Sequence, residues 1–280
     1  MRLYLGGASL FEPIDLVIWI FVVLFFTGSA GLAGGNFSTT VIGAAAIVAI
    51  MFFVGVTVEI IIETLRDVRG LGTLVGFITN GPEALCLIVG LVAGDVLFAA
   101  STPLGSNIMN PVMLISSALL TGMFLRTIKT NPRYTLVCIL LTATLAVSFF
   151  VIPENWRIVW WVVAILVSGV LFKLRPKEAA SEEEYEEGLS WFWFIPAVII
   201  LITAGYFLDP VVSFTAESSH APKGVIGFFV LSTLTSWPEF KSCLALFRRK
   251  KPLASILNIT VSNITNIWLA LTGVFLSMLM

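Results

Sequence analysis

The chain is short of charge. Asp, Glu, Lys and Arg make up 12% of its 280 residues, where an ordinary soluble domain carries roughly 25%. That shortage excludes a conventional water-facing surface over most of the length. Cysteine is scarce too: Cys86, Cys138 and Cys243 are odd in number, lack CxxC spacing and fall inside hydrophobic runs. A disulfide framework and a thiolate metal centre are thereby excluded, and the three read as small apolar packing residues. A single histidine, His220, excludes a histidine-rich metal centre. No Ser/His or Asp/Asp constellation lies in the hydrophobic runs, which argues against an enzyme. The one dense basic run, Arg248 to Lys251, sits between two hydrophobic stretches. It reads as a cytoplasmic loop, and no nucleic-acid partner is expected.

What the chain has in abundance is long apolar runs, with 58% hydrophobic residues and a mean hydropathy of +1.00. Nine segments stand out, at 14–33, 39–65, 70–93, 98–123, 134–152, 157–174, 191–208, 223–247 and 252–279. A bilayer crossing takes about 20 apolar residues in a helix. An open sheet would leave its backbone unsatisfied in lipid, and no alternating barrel pattern is present, so the segments read as helices. The expected fold class is all-α, a polytopic membrane protein of about nine transmembrane helices.

The basic residues set an orientation. Thirteen of them fall on one side: Arg2, Arg66, Arg69, Arg126, Lys129, Arg133, Lys173, Arg175, Lys177 and the run Arg248 to Lys251. Only Arg157 and Lys223 fall on the other. The positive-inside rule then predicts a cytoplasmic N-terminus and an external C-terminus, in a plasma or inner membrane. Small residues at Gly28 to Gly31 resemble a cleavage site, but Glu12 and Asp15 deny the preceding region a positive charge, so the first segment is expected to be retained. The polar stretch 177–188, with six glutamates, reads as a solvated cytosolic linker. The expected organisation is an extra N-terminal helix (1–38), a first repeat half (39–176), this linker, and a shortened second half (189–280).

The halves are related by two motifs. Thr79-Asn80-Gly81-Pro82-Glu83 and Gly105-Ser106-Asn107-Ile108-Met109-Asn110 recur as Thr235-Ser236-Trp237-Pro238-Glu239 and Val261-Ser262-Asn263-Ile264-Thr265-Asn266, each position offset by 156 residues. Order and spacing are both kept, which marks an internal repeat. The first motif begins on the third segment and the second on the eighth. Five crossings apart means opposite threading, the inverted-topology plan of many secondary transporters.

The residue types suit a hard cation. Glu83 and Glu239 lie well inside their segments, where a carboxylate is costly unless something offsets its charge; a cation shared by the two would do so. Thr79 with Glu83, Thr235 with Glu239, Ser106 with Asn110, and Ser262 with Asn266 are each i,i+4 pairs on one helix face. Pro82 and Pro238 displace the backbone carbonyls near Ile78 and Leu234. Carboxylate, amide, hydroxyl and backbone oxygen, without thiolate or imidazole, suit Ca²⁺ or Na⁺ better than zinc or copper.

On these motifs the sequence resembles the calcium/cation antiporter superfamily, of the sodium/calcium exchanger type. The resemblance implies that cation ligands fall on Thr79, Glu83, Ser106 and Asn110, and on Thr235, Ser236, Glu239, Ser262 and Asn266. It implies Ca²⁺ exchanged for Na⁺ or H⁺ as transported ions, no resident cofactor, and inorganic cations and the bilayer as partners. Several positions depart from the pattern. Asn80 replaces the usual serine, Trp237 stands where a smaller residue is usual, and Asn110 and Asn266 are neutral. Lys241, two residues after Glu239, is a modulator of the site if its ammonium reaches it. The resemblance also implies two helices after the second motif pair. In their place lipid, the first helix or another subunit of a homo-oligomer is expected to cover the exposed face. The alternative reading is an exchanger-like protein that binds or senses a cation without full exchange.

Overall fold

The structure, a computed structural model, describes residues 4–5, 8–9, 13–93, 96–178, 189–222 and 233–279. Apart from a two-residue antiparallel pairing of Tyr4–Leu5 with Ala8–Ser9, every element among them is helical. The all-α class is as expected. Among the described residues seven stretches are long and apolar enough to cross a membrane: Pro13–Ala33, Phe37–Thr64, Leu71–Val92, Pro132–Val151, Glu154–Lys173, Trp191–Ser218 and Pro252–Leu276. Of the other two expected segments, 98–123 corresponds to a 25-residue helix diluted by Ser, Thr, Asn and two prolines. The stretch 223–247 falls partly outside the described residues, as do Lys223 and most of the acidic linker.

The chain forms two compact units, Met1–Thr64 with Tyr185–Lys241 and Leu65–Glu184 with Ser242–Met280. Each unit draws on both sequence halves. In the first unit, α1 (Pro13–Ala33) ends where Gly34 takes the left-handed region at φ 74°. The chain then turns into α2 (Phe37–Thr64), which packs against α1 and α9 (Phe194–Ser218). The buried residues of α9 are Ala197, Leu201, Ala204, Leu208, Val212 and Thr215. Their three-and-four spacing makes one stripe, the pattern by which a helix seals a single face against a neighbour. The opposite face keeps Ile195, Ile199, Phe207 and Phe214 exposed, which in lipid carries no penalty.

The second unit holds α3 (Leu71–Ile78), α4 (Gly81–Ala93), α5 (Val96–Leu120), α6 (Phe124–Lys129), α7 (Pro132–Val151), α8 (Arg157–Lys173) and α11 (Pro252–Leu279). α11 is its centre, in contact with α3, α5, α7 and α8. One apolar cluster gathers Leu104, Phe149, Trp160, Ile267 and Leu271, and another gathers Leu114, Ala118, Phe247, Ile256 and Ile259. The continuous helix α10 (Trp237–Arg248) contributes residues to both units.

α3 and α11 meet backbone to backbone. A Cβ on Gly72 would collide with the main chain of Ala254, and one on Gly76 would stand 2.6 Å from the Asn258 carbonyl oxygen. One turn further, the Asn80 amide donates to the Ser262 carbonyl at 2.8 Å. The pairs 72/254, 76/258 and 80/262 advance together by four, so the two helices run parallel and in register. Glycine at two successive turns permits that approach, as small residues do between membrane helices. At the start of α3, Glu178 accepts from the Gly72 and Thr73 N–H groups at 3.0 and 3.4 Å. The expectation of a solvated stretch therefore does not extend to its first glutamate, because a helix N-terminus offers unused donors and a positive dipole end to a carboxylate.

Candidate functional site

Each Pro-Glu motif marks a break between helices. α3 stops at Ile78 and α4 starts at Gly81, with Pro82 in its first turn; α10 starts at Trp237, with Pro238 in its first turn. In a first turn the missing N–H of proline is no loss. The Ala84 N–H bonds to the Asn80 carbonyl at 3.0 Å, and the Phe240 N–H to the Ser236 carbonyl at 3.1 Å. These are the same bond at the repeat offset of 156. The prolines therefore open new half-helices within the expected segments 70–93 and 223–247. Both breaks leave Glu83 and Glu239 in the first turn of a helix, where the dipole favours a negative charge.

In the first unit, Ser236 and Glu239 are buried and Thr235 is partly so. Trp237 fits by burying its ring against Phe240, with centroids 5.3 Å apart, and by donating Nε1–H to the Met51 carbonyl at 3.0 Å. Lys241 is buried, and its Nζ donates to both Asp15 oxygens, at 2.8 and 2.9 Å. Its stem lies against Gly55, where a Cβ would sit 3.2 Å from Cε. The ammonium is therefore engaged by α1. The sequence held the signal, a lone acid in the first apolar segment and a lysine in the interior of the eighth, but not that they meet.

In the second unit, an amide network joins both Ser-Asn-Ile-x-Asn motifs. The Asn80 amide donates to the Ser262 carbonyl, and the Ser262 hydroxyl donates back to Asn80 Oδ1 at 2.8 Å. Asn110 Nδ2–H donates to Ser262 Oγ at 3.0 Å and to Asn263 Oδ1 at 2.9 Å. Asn263 donates to Thr142 Oγ1 at 3.1 Å, and the Thr142 hydroxyl donates to the Cys138 carbonyl at 2.8 Å. Asn107 donates to the main-chain carbonyl of Asn263, its counterpart at the 156 offset, and Asn266 donates to Asn107 Oδ1, both at 3.1 Å.

This network has one polarity. A main-chain carbonyl can only accept, so the carbonyls of Ser262, Asn263 and Cys138 dictate which way Asn80, Asn107 and Thr142 point. Those in turn fix Ser262, Asn263, Asn110 and Asn266. Each of these amide groups donates inside the protein. What remains is a set of buried oxygens that receive no hydrogen bond: Thr79 Oγ1, Asn110 Oδ1 and Asn266 Oδ1. A buried acceptor without a donor costs about 1–3 kcal/mol. Three such lone-pair donors in one unit have the chemistry that a hard cation accepts. Glu83 and Ser106 are half-buried in this unit, on α4 and α5. Among the described residues no three His, Cys, Asp or Glu side chains converge, so neutral oxygens dominate the donor set.

The structure thus brings Thr79, Asn80, Glu83, Ser106, Asn110, Ser262 and Asn266 into one unit and Thr235, Ser236, Glu239 and Lys241 into the other. Asn107 and Asn263 were inside the quoted motifs but were not among the expected site residues. They orient the Asn110 and Asn266 amides. Asn258, which precedes Ser262 by the same four residues that separate Ser262 from Asn266, was also outside the expected set.

Residues 189–279 match the family described as Sodium/calcium exchanger protein, about a third of the chain. No curated protein and no solved structure matched the chain. The family match supports a membrane protein of the calcium/cation exchanger superfamily, and with the apolar helices it supports an integral membrane location.

Proposed function

We propose, from that family match as premise, that the chain is a secondary active antiporter that exchanges Ca²⁺ for Na⁺ (or H⁺) across a membrane by alternating access. The observation that carries the reading is the polarity of the amide network, which turns the oxygens of Asn110 and Asn266 away from any protein donor. In this reading Thr79, Glu83, Ser106, Asn110, Thr235, Ser236, Glu239, Ser262 and Asn266 supply oxygens to the transported ion. Glu83 and Glu239 supply its counter-charge. Asn80 positions Ser262, and Lys241, held by Asp15, adjusts the charge balance without entering as a tethered cation. The two breaks support alternating access, since short half-helices can tilt where a continuous helix cannot.

The test is ⁴⁵Ca²⁺ uptake into proteoliposomes under an imposed Na⁺ gradient, compared with an imposed H⁺ gradient. Uptake driven by one of them is expected. Glu83→Gln and Glu239→Gln are each expected to abolish it while leaving a folded, extractable protein. Normal uptake by both variants would remove the assigned site. A second reading, a cation-binding or sensing protein without exchange, is favoured by one observation. The buried Asp15–Lys241 pair ties α1 to the helix carrying Glu239. Saturable Ca²⁺ binding with no flux under either gradient would establish that reading instead.

A further inference from the structure

We infer that Asn258 is a further cation-contacting residue, its side-chain carbonyl extending the ligand stripe of α11 by one turn toward the basic loop Arg248 to Lys251. The inference rests on the cation-transport reading and adds a station to it.

Asn258, Ser262 and Asn266 are spaced i, i+4, i+8 on α11 and share one face. All three are fully buried. Asn258 repeats the signature of Asn110 and Asn266: its Nδ2–H is used inside the protein, donating to Ser242 Oγ at 2.7 Å, with Cys243 Sγ at 3.5 Å, while its Oδ1 receives nothing. On the α3 side Gly76 presents bare backbone to the Asn258 main chain. No α3 side chain at that level supplies the missing donor, and the position is one turn from the level of Asn80 and Ser262. A simple brace between α10 and α11 would need only the N–H. A leucine would fill the space without stranding an oxygen.

The donor set at Asn258 is neutral. A neutral amide oxygen suits a weakly held, partly hydrated monovalent ion, since strong Ca²⁺ sites recruit carboxylates. The expected occupant is Na⁺, in transit along α11 between the Asn266 level and the end of the helix near Lys251.

Asn258 also allows a clean substitution. Asn258→Asp keeps an oxygen in place and adds charge. The experiment measures ⁴⁵Ca²⁺ binding to purified full-length protein and its displacement by Na⁺, with unfolding midpoints recorded for each variant. Asn258→Leu is expected to raise the Na⁺ concentration for half-displacement by about tenfold, the scale of one lost charge-assisted contact. Asn258→Asp is expected to tighten Ca²⁺ binding by a similar factor. Ser242→Ala removes the brace and leaves the oxygen, so both constants should stay at their wild-type values. If Ser242→Ala reproduces Asn258→Leu, or if both Asn258 variants bind Na⁺ and Ca²⁺ as the wild type does, Asn258 is a brace and the inference is overturned. Absence of Ca²⁺ and Na⁺ binding in the wild type would instead overturn the transport reading on which this station depends.

Discussion

At the scale of single residues, the Asp15–Lys241 pair shows how a costly charge is retained in an apolar setting. Both side chains are almost wholly removed from solvent, at 4% and 2% exposure. Two opposite charges with short, doubled hydrogen bonds cancel much of the desolvation cost, whereas one alone does not. Asp15→Asn or Lys241→Met alone is expected to destabilise the protein by about 3–5 kcal/mol. The double change Asp15→Leu with Lys241→Met should recover most of that loss, giving a large coupling in a double-mutant cycle read from unfolding midpoints in detergent. The sequence made both residues conspicuous as charges in apolar runs. It did not pair them, because a contact 226 positions apart depends on which helices become neighbours.

At the scale of elements, the helix breaks were legible and the helix register was not. Pro82 and Pro238 announced a discontinuity, and their place in first turns is where proline costs a helix least, since its missing N–H would be unpaired there anyway. The parallel register of α3 against α11 left a trace only in Gly72 and Gly76, four apart, a spacing too common in membrane helices to name its partner. Gly76→Ala is expected to cost about 1–3 kcal/mol, because the new methyl group meets a main-chain oxygen that cannot swing aside. Thermal unfolding would measure it. Gly169, which has open space around its Cβ position, should accept alanine without loss.

At the scale of the whole molecule, the repeat offset, the positive-inside asymmetry and the apolar runs were sufficient for class and threading expectations, because each depends on composition along the chain and not on contacts. The grouping of helices into units, and the docking of the linker's first acid onto α3, were not accessible in that way. Burial pushes the Glu178 carboxyl above the usual range, and the Gly72 and Thr73 N–H groups and the nearby Lys251 charge only partly oppose it. A folded-state value raised above the unfolded one means that the contribution of this group is fully present at pH below about 4.5 and is lost as pH rises through the raised value. The stability of wild type relative to Glu178→Gln should therefore fall as pH increases across that interval. Unfolding midpoints of the two proteins, taken over a pH series, would check both the sign and the interval.

The one-way polarity of the asparagine network also constrains how such a chain can evolve. Asn266 donates to an oxygen of Asn107, which cannot turn around without setting that oxygen against the main chain of α11. An aspartate at 266 would therefore meet an acceptor head-on unless it held a proton or position 107 changed as well. Acquiring a third acidic ligand there is a two-step change whose intermediate is handicapped, which makes the neutral pair Asn107 and Asn266 a ratchet in sequence space.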